Sequence, residues 1–345
     1  MKHFLLYLTS VFLILFVIVI NRNQKVQVRH QKAVVRIFSY SSFTGRSGPG
    51  PRLKEEFEKT CACIVEFIDG NDSGVLLQKL KLEGDSLGAD LVIGFDQYDL
   101  QKALAEIKWR QLDFSNLDVD PEIKPVLSNS YFVPYDWGVL SFVGRKSELN
   151  EAPESLDDLL KSEFTKKIAL EDPRYSSPGM QFLFWVIRSK GEEDGFKYLR
   201  KMMEQAHSFA PSWSTAYGLF QKKQALLAFS YLTSPLYHLI EEKNSDYVAL
   251  EFKEPHPVQF EFVGIPDFCK QCGLSEKFVN LMLSIEGQRM IMNRNYMFPV
   301  VKAAKEGTPF AQLVPKNLMK FEIPSINEID RFIKHWSDLR RSESL

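Results

Sequence analysis

Residues 33 to 96 decide the fold class of this chain: AVVRIFSYSSFTGRSGPGPRLKEEFEKTCACIVEFIDGNDSGVLLQKLKLEGDSLGADLVIGFD. Three short apolar runs in this segment are typical of buried strands, and they lie at 33–40, 64–68 and 89–96. Between them, Pro51 suits the first turn of a helix, and Asp72 or Ser73 suits an N-cap. Strand, helix, strand, helix, strand in this order predicts a parallel sheet covered by helices, with right-handed crossovers.

The same alternation continues to the C-terminus. Further strands are predicted at 131–146, 166–173, 225–231, 246–252 and 258–266. Further helices are predicted at 97–107, 178–191, 195–203, 234–243 and 275–292. Ser325 and Glu328 have the spacing of a capping box, which indicates the start of a final helix.

Because the strand and helix pattern restarts, the sequence predicts an α/β protein with two lobes. Lobe 1 is expected to comprise 33–131 plus 266–345, and lobe 2 is expected to comprise 132–265. Each lobe is expected to be a mixed, mostly parallel sheet flanked by helices. A ligand cleft is expected at the hinge, where strand ends meet helix N-termini.

The composition is that of an ordinary globular protein. Of 345 residues, 25% are charged and 45% are hydrophobic, and the formal net charge is -1. A nucleic-acid binder would show a strong basic excess, so we expect no nucleic-acid partner. We also expect a monomer. The 27 Phe, 12 Tyr and 5 Trp residues can fill a core and also supply stacking walls for a flat ligand.

The N-terminal residues 1–30 resemble an export segment. Lys2 precedes an uncharged apolar run at 4–20, and a polar, basic stretch follows it. The run approaches the length of a spanning helix, and neither an Ala-x-Ala cleavage pattern nor a cysteine follows closely. The segment is therefore interpreted either as a cleaved signal peptide or as an uncleaved anchor that tethers the protein to the inner membrane. In both cases the protein is expected in the periplasm.

Four cysteines form two tight pairs, Cys61 with Cys63 and Cys269 with Cys272. Disulfides are permitted in an exported protein. A Cys-x-x-Cys pair is also compatible with redox chemistry or with half of a zinc site. The long separation between the pairs and the absence of an accompanying His motif favour structural disulfides or idle thiols over a metal site.

Ten short motifs resemble one family, the periplasmic thiamine-binding proteins of bacterial ABC importers, in order and spacing over most of the chain after residue 39. The motifs are Y-S-S-F at 40–43, G-P-G-P at 48–51, C-A-C at 61–63, L-x-x-L-x-x-E-G at 77–84, A-D-L-V-I-G at 89–94, F-V-P-Y-D-W-G at 132–138, D-P-R-Y-S-S-P-G at 172–179, W-S-T-A-Y-G-L-F at 213–220, S-Y-L-T-S-P-L-Y-H at 230–238 and N-Y-M-F-P-V at 295–300. The resemblance implies a type II periplasmic-binding-protein fold. It also implies partnership with a membrane permease and its ATPase.

The resemblance also carries ligand-binding residues onto this chain, position by position. They are Tyr40, Asp72, Ser73, Ser176, Ser177, Trp213, Tyr231, Leu232, Thr233, Ser234 and Tyr237. The chain departs from the family at several of these places. Leu232 interrupts a run of hydroxyl side chains, Ser73 replaces a usual glycine, and Ser47 stands where a tryptophan is expected. These departures concern the wall of the cleft more than the class of ligand.

The chemistry of thiamine fits these side chains. Its cationic thiazolium ring suits stacking on Trp213, Tyr231 or Tyr237, and Asp72 can oppose its charge. Ser176 and Ser177 precede a predicted helix, an arrangement that suits a phosphate. We therefore expect thiamine, thiamine monophosphate or thiamine diphosphate as the transported ligand, with no resident cofactor. Each residue also has a structural interpretation, Trp213 as core and the serines as N-caps.

Two other functions are compatible with the same fold. A solute-binding protein for ferric iron would use paired tyrosines with a His or a carboxylate, but Tyr231 and Tyr237 are not adjacent. A thiamine-degrading enzyme would use a cysteine nucleophile in the cleft. Cys61 ends a predicted helix, where the helix dipole disfavours a thiolate.

Overall fold

The structure is a computed structural model that describes residues 32–115, 117–119, 121–127 and 130–342. The export segment interpreted at residues 1–30 lies outside the described residues. Within the described ranges, no helix combines the length and the apolar character needed to cross a bilayer. Residues from Val34 onward form one compact unit.

Strands and helices alternate along this unit. The strands are β1 (Val34–Ser39), β2 (Ile64–Asp69), β3 (Leu91–Asp96), β4 (Phe132–Arg145), β5 (Ile168–Glu171), β6 (Ser208–Ala210), β7 (Leu227–Tyr231), β8 (Tyr247–Ala249), β9 (Val258–Gly264) and β10 (Phe298–Pro299). The α-helices are α1 (Ser41–Thr44), α2 (Gly50–Cys61), α3 (Leu76–Glu83), α4 (Leu100–Glu106), α5 (Ser177–Lys190), α6 (Glu192–Gln205), α7 (Trp213–Gln221), α8 (Ser234–Glu241), α9 (Cys272–Leu283), α10 (Ile285–Asn295) and α11 (Ile326–Ser342). Most predicted elements are present within a few residues of their expected bounds.

The strands follow one hydrogen-bonded path in the order β2-β1-β3-β9-β4-β7-β5-β6. The parallel pairing predicted for the first three strands is confirmed, since β1 pairs in parallel with both β2 and β3. Strand β9 then runs antiparallel between β3 and β4. Beyond β4, strand β7 is antiparallel to β4, while β5 pairs in parallel with β6 and β7. The sheet is therefore mixed.

Strand β4 connects two halves of this sheet. Its residues 132–139 pair with β9, and its residues 140–144 pair with β7. We call β1, β2, β3, β9, β10 and residues 132–139 the first half, and β5, β6, β7, β8 and residues 140–145 the second half. All 14 residues of β4 are buried, and β7, β8, β9 and β10 pair along its length.

The core of the second half is aromatic. Trp185 of α5 is fully buried, and its ring lies within 6.2 Å of the rings of Phe142, Phe229 and Phe252. Helix α11 packs on the same cluster, with Trp336 against Phe209. The lobe boundaries predicted at 131/132 and 265/266 stay a prediction.

The prediction of a single helix at 275–292 is wrong, because the chain forms two helices that are separated at Ser284. This residue has an extended backbone, and its hydroxyl oxygen accepts from the backbone N–H of Gly287 as an N-cap. A Cβ on Gly287 would lie 1.8 Å from the carbonyl oxygen of Leu281. Only glycine therefore permits the close approach that the break requires.

The starts of two other predicted helices, α4 and α11, can be compared with the structure. The helix predicted from Gln97 begins at Leu100, because the backbone N–H of Tyr98 and the side chain of Asp96 form a turn first. At the final helix, the backbone N–H of Glu328 donates to the Ser325 hydroxyl at 3.2 Å, as the capping box predicts.

Both cysteine pairs are disulfides in the structure. Cys61 bonds to Cys63 at the end of α2, and Cys269 bonds to Cys272 at the start of α9. Structural disulfides, one of the two favoured interpretations of these cysteines, therefore match the structure.

Candidate functional site

Two adjoining spaces lie between side chains of the first and second halves. We call them the large cavity, of about 400 Å³, and the small pocket, of about 40 Å³. They share the side chains of Ser42, Trp213, Tyr231 and Asn295. Because strand ends and helix N-termini of both halves meet here, this is the expected position of a ligand site in an α/β fold.

An aromatic wall lines both spaces. Trp213 is the first residue of α7, and the Ser212 hydroxyl caps that helix by accepting from the backbone N–H of Thr215. The Trp213 ring is stacked on Tyr217 with centroids 5.0 Å apart, and the Tyr231 ring lies 6.5 Å away. Its indole N–H donates to the Ser230 hydroxyl at 2.9 Å. This bond fixes the orientation of a half-buried ring that lines both spaces.

Asp72 lies in the small pocket, where it caps the turn after β2. Its Oδ1 accepts from the Ser73 hydroxyl at 3.3 Å and from the backbone N–H of Gly74 at 3.4 Å. Its Oδ2 accepts from the backbone N–H of Trp213 at 3.3 Å. Burial raises the pKa of Asp72 to about 6, although these donors lower it in part.

A second carboxylate, Glu261 of β9, forms one end of the small pocket. The Tyr40 hydroxyl donates to its Oε2 at 2.6 Å, and the Tyr135 hydroxyl donates to the same oxygen at 2.5 Å. Asp136 is the cross-strand partner of Glu261, and the Asn295 side-chain amide donates to its Oδ2 at 2.7 Å. Burial raises the pKa of both carboxyl groups, and that of Asp136 is raised well above its usual range, since Glu261 lies beside it.

The large cavity adds hydroxyl and charged groups. The Ser234 hydroxyl, at the start of α8, lies 2.8 Å from that of Ser230 and accepts from the backbone N–H of Tyr231. The Tyr237 ring meets Tyr296 edge to face, with centroids 5.3 Å apart. Among the described residues that line the two spaces, the acids are Asp72, Glu241 and Glu261, and the base is Arg294.

Seven of the eleven predicted site residues therefore lie together in these two spaces. They are Tyr40, Asp72, Ser73, Trp213, Tyr231, Ser234 and Tyr237. Their roles as ligand contacts stay a prediction.

The other four predicted residues lie elsewhere. Ser176 and Ser177 line a separate cavity of about 190 Å³, where the Ser177 hydroxyl donates to buried Asp96. The Thr233 hydroxyl donates to the backbone carbonyl of Tyr296, and Leu232 lines neither of the two spaces. The hydroxyls of Ser177 and Thr233 thus have hydrogen-bond partners within the protein, whereas the buried hydroxyl of Ser176 has none in the structure.

Sequence reasoning did not select Glu261, Asn295 or Tyr296 as site residues. One signal was present. In the strand VQFEFVG at 258–264, polar Gln259 and Glu261 alternate with buried aromatic residues. A carboxylate inside a strand that is buried on both faces indicates a functional position, because its burial costs free energy.

Several known proteins are similar to this chain. Residues 89–313 match the family described as bacterial extracellular solute-binding protein. The thiamine-binding periplasmic protein of Brucella abortus biovar 1 is 35% identical over 295 residues, covering 85% of this chain and 87% of that protein. That of Escherichia coli strain K12 is 36% identical over 270 residues, covering 78% and 81%.

A solved structure also resembles this chain. A periplasmic thiamin binding protein matches it with a TM-score of 0.81 at 32% identity, covering 90% of this chain and 97% of that one. The likeness confirms the predicted two-lobed α/β fold of periplasmic binding proteins.

Proposed function

This chain belongs to the bacterial extracellular solute-binding proteins, and we propose that it is the thiamine-capturing component of an ABC importer. It holds the ligand in the large cavity and the small pocket and delivers it to a membrane permease driven by an ATPase. A protein of this family releases its ligand unchanged, so the chain is a carrier and not an enzyme.

The aromatic wall beside two carboxylates is the observation that carries this proposal. Thiamine has a permanently cationic, flat ring, which an indole face attracts by about 0.5–2 kcal/mol. Trp213 offers such a face, and Asp72 and Glu261 supply negative charge in the adjoining pocket. The aminopyrimidine of thiamine carries an exocyclic amine that a carboxylate or hydroxyl oxygen accepts from.

We include thiamine monophosphate and thiamine diphosphate among the ligands. The large cavity supports this because the Ser234 hydroxyl lies at the N-terminus of α8 and Arg294 lines the same cavity. Ser176 and Ser177 support it less, since the Ser177 hydroxyl already donates to Asp96.

The protein works in the periplasm, as its relatives do. We propose that residues 4–20 anchor it to the inner membrane and that it acts as a monomer. Fractionation of cells into soluble periplasm and membranes tests the anchor. Replacing residues 1–30 with a cleavable signal peptide should move the protein to the soluble fraction.

Isothermal titration calorimetry of the purified full chain tests the function. We expect one site per chain for thiamine, binding of both phosphates at the same site by competition, and no binding of ferric iron. Failure to bind any thiamine form would refute the proposal. Mass spectrometry of the same mixtures should recover intact thiamine, whereas cleaved pyrimidine would identify an enzyme.

The iron-binding and enzymatic alternatives find no support in the site. The hydroxyls of Tyr40 and Tyr135 lie 3.2 Å apart, and both donate to the same oxygen of Glu261. All four cysteines are in disulfides, and none lines the large cavity or the small pocket.

A further inference from the structure

The buried carboxylate of Glu261 has an unusual set of hydrogen-bond donors. Two tyrosine hydroxyls, from Tyr40 and Tyr135, donate to the same oxygen, and the side-chain amide of Gln259 donates to the other at 3.2 Å. Three donors on one carboxyl group stabilise its charged form. Tyr40 and Tyr135 come from the end of β1 and from β4, so two different elements fix the position of this group.

The neighbouring carboxyl of Asp136 affects the protonation of Glu261. The two residues face each other across β4 and β9, and both are buried. Asp136 receives one donor, the Asn295 amide, and its Oδ1 has no hydrogen-bond partner in the structure. Two adjacent buried carboxyls cannot both ionise. Burial and the neighbouring Glu261 raise the pKa of Asp136 well above its usual range and favour the proton there, whereas the tyrosine donors lower the pKa of Glu261 and favour its charged form.

The charge on Glu261 has no protein counter-ion. No described lysine, arginine or histidine forms an ion pair with Glu261 or with Asp136, and the groups that donate to Glu261 are neutral hydroxyls and an amide. Its cross-strand partner in β3, Asp96, is another buried carboxyl. A buried carboxylate without a counter-ion is costly. Its side chain also borders the pocket that Trp213, Tyr231 and Asp72 line. The small pocket therefore has a negative charge that a cationic ligand can neutralise.

We propose that Glu261 determines the charge specificity of the site, as the counter-charge of the cationic ring of the ligand. The inference rests on the proposed thiamine-binding function and deepens it. Tyr40 and Tyr135 are positioning residues, which hold the carboxylate in its charged form. Asp72 contributes negative charge as well, but its oxygens are already used by the turn after β2 and by the backbone of Trp213.

Substitution Glu261→Gln tests this role with two ligands of one shape. The ligands are thiamine and its neutral thiophene isostere, in which a ring carbon replaces the charged nitrogen. Glutamine keeps the shape and an acceptor oxygen for the tyrosine hydroxyls but removes the charge. We expect Glu261→Gln to weaken thiamine at least tenfold and to change the Kd of the isostere less than twofold. The isostere also lacks the attraction between the charged ring and Trp213. This loss is the same in the wild type and in Glu261→Gln, so it cancels when the two proteins are compared.

A matched control is Glu251→Gln, which removes an exposed carboxylate that lines neither the large cavity nor the small pocket. We expect it to weaken thiamine less than threefold. If Glu261→Gln does not fold, as judged by circular dichroism, Tyr135→Phe replaces it on the same pair of ligands, because Tyr135 donates to Glu261 and lines neither space. Loss of one donor should weaken thiamine by threefold or more and leave the isostere unchanged.

Three results would overturn the proposal. Equal weakening of both ligands by Glu261→Gln would show a role in shape alone, and unchanged thiamine binding would show that the charge does not act on the ligand. In both cases the wild-type chain still binds thiamine, so the proposed function stands. A wild-type chain that binds neither ligand would refute the proposed function and this inference together.

Discussion

The carboxylate of Asp72 accepts a hydrogen bond from the backbone N–H of Trp213 at 3.3 Å, across 141 positions of sequence. The bond joins the turn after β2, in the first half, to the first residue of α7, in the second half. One oxygen of Asp72 thus stabilises its own turn, and the other connects the halves beside the aromatic wall. Changes at either residue should therefore affect both ligand binding and closure.

Thiamine affinity should depend on the ionisation of Asp72. Burial raises the pKa of this carboxyl to about 6, and a cationic ligand favours the charged form. The Kd should fall about tenfold between pH 5 and pH 7 and then level off. Calorimetry of wild type and Asp72→Asn over this range measures it. Because the variant lacks the carboxyl, its profile isolates titration of the ligand itself. An equally steep profile in Asp72→Asn would contradict the assignment.

The free energy of unfolding of the ligand-free protein should fall as the pH rises, whereas the thiamine affinity should rise. The pKa values of Asp72 and Asp96 are each raised by burial to about 6 in the folded chain. A raised folded pKa contributes stability at low pH, which is lost as pH rises from about 4 to about 6. The free energy of unfolding in urea should therefore be greater at pH 5 than at pH 7. Asp96→Asn should flatten part of this slope, and a slope of the opposite sign would refute the burial argument.

Trp213→Ala should weaken thiamine by about twofold to thirtyfold, which corresponds to the 0.5–2 kcal/mol of one cation–π contact. Trp213→Phe keeps an aromatic face and should recover part of the affinity. Thiamine should quench tryptophan fluorescence in the wild type, and most of the quenching should vanish in Trp213→Ala. Trp185→Phe, in the core of the second half, is the control and should keep the quenching. Full quenching in Trp213→Ala would place the ligand elsewhere.

Local sequence predicted most strands, the helix that ends at Gly191 and the cap at Ser325, because these depend on neighbouring residues. It missed the break at Ser284, since the apolar positions Phe278, Met282 and Ile285 continue the helical spacing through it. The break depends on the N-cap at Ser284 and on the close approach of Gly287, in α10, to the Leu281 carbonyl, in α9. Such a contact has no signature in the spacing of one segment.

The site residues also fall into two groups, those marked by local sequence motifs and those that depend on strand pairing. Trp213 and Ser234 lie at helix starts that sequence motifs mark, and the structure places both in the large cavity. The carboxyl pair of Asp136 and Glu261 depends on the antiparallel register of β4 and β9. Registers between segments more than 100 residues apart cannot be obtained from local periodicity.

Ser284→Ala should lower the free energy of unfolding by about 1 kcal/mol, the usual cost of losing an N-cap hydroxyl. The Ser284 hydroxyl oxygen accepts from the backbone N–H of Gly287 at 3.0 Å. Ser284→Asp keeps an acceptor and should restore stability. Urea unfolding measures the difference. Thiamine affinity should be unchanged in both variants, and a loss of 3 kcal/mol or more would indicate that the whole junction of α9 and α10 depends on this cap.

The two disulfides should contribute little to stability, because each closes a very short loop. Cys61 and Cys63 are 2 positions apart, and Cys269 and Cys272 are 3 positions apart. In the chain-entropy account, loops this short stabilise by about 2 kcal/mol or less, against about 3 kcal/mol for a 15-residue loop. Replacing either pair by serine should therefore leave a folded protein with unchanged thiamine Kd, since neither pair lines the site. Loss of thiamine binding in a folded double-serine variant would show that the pair has a functional role. A loss of more than 4 kcal/mol would show that the disulfide stabilises native contacts beyond its own loop.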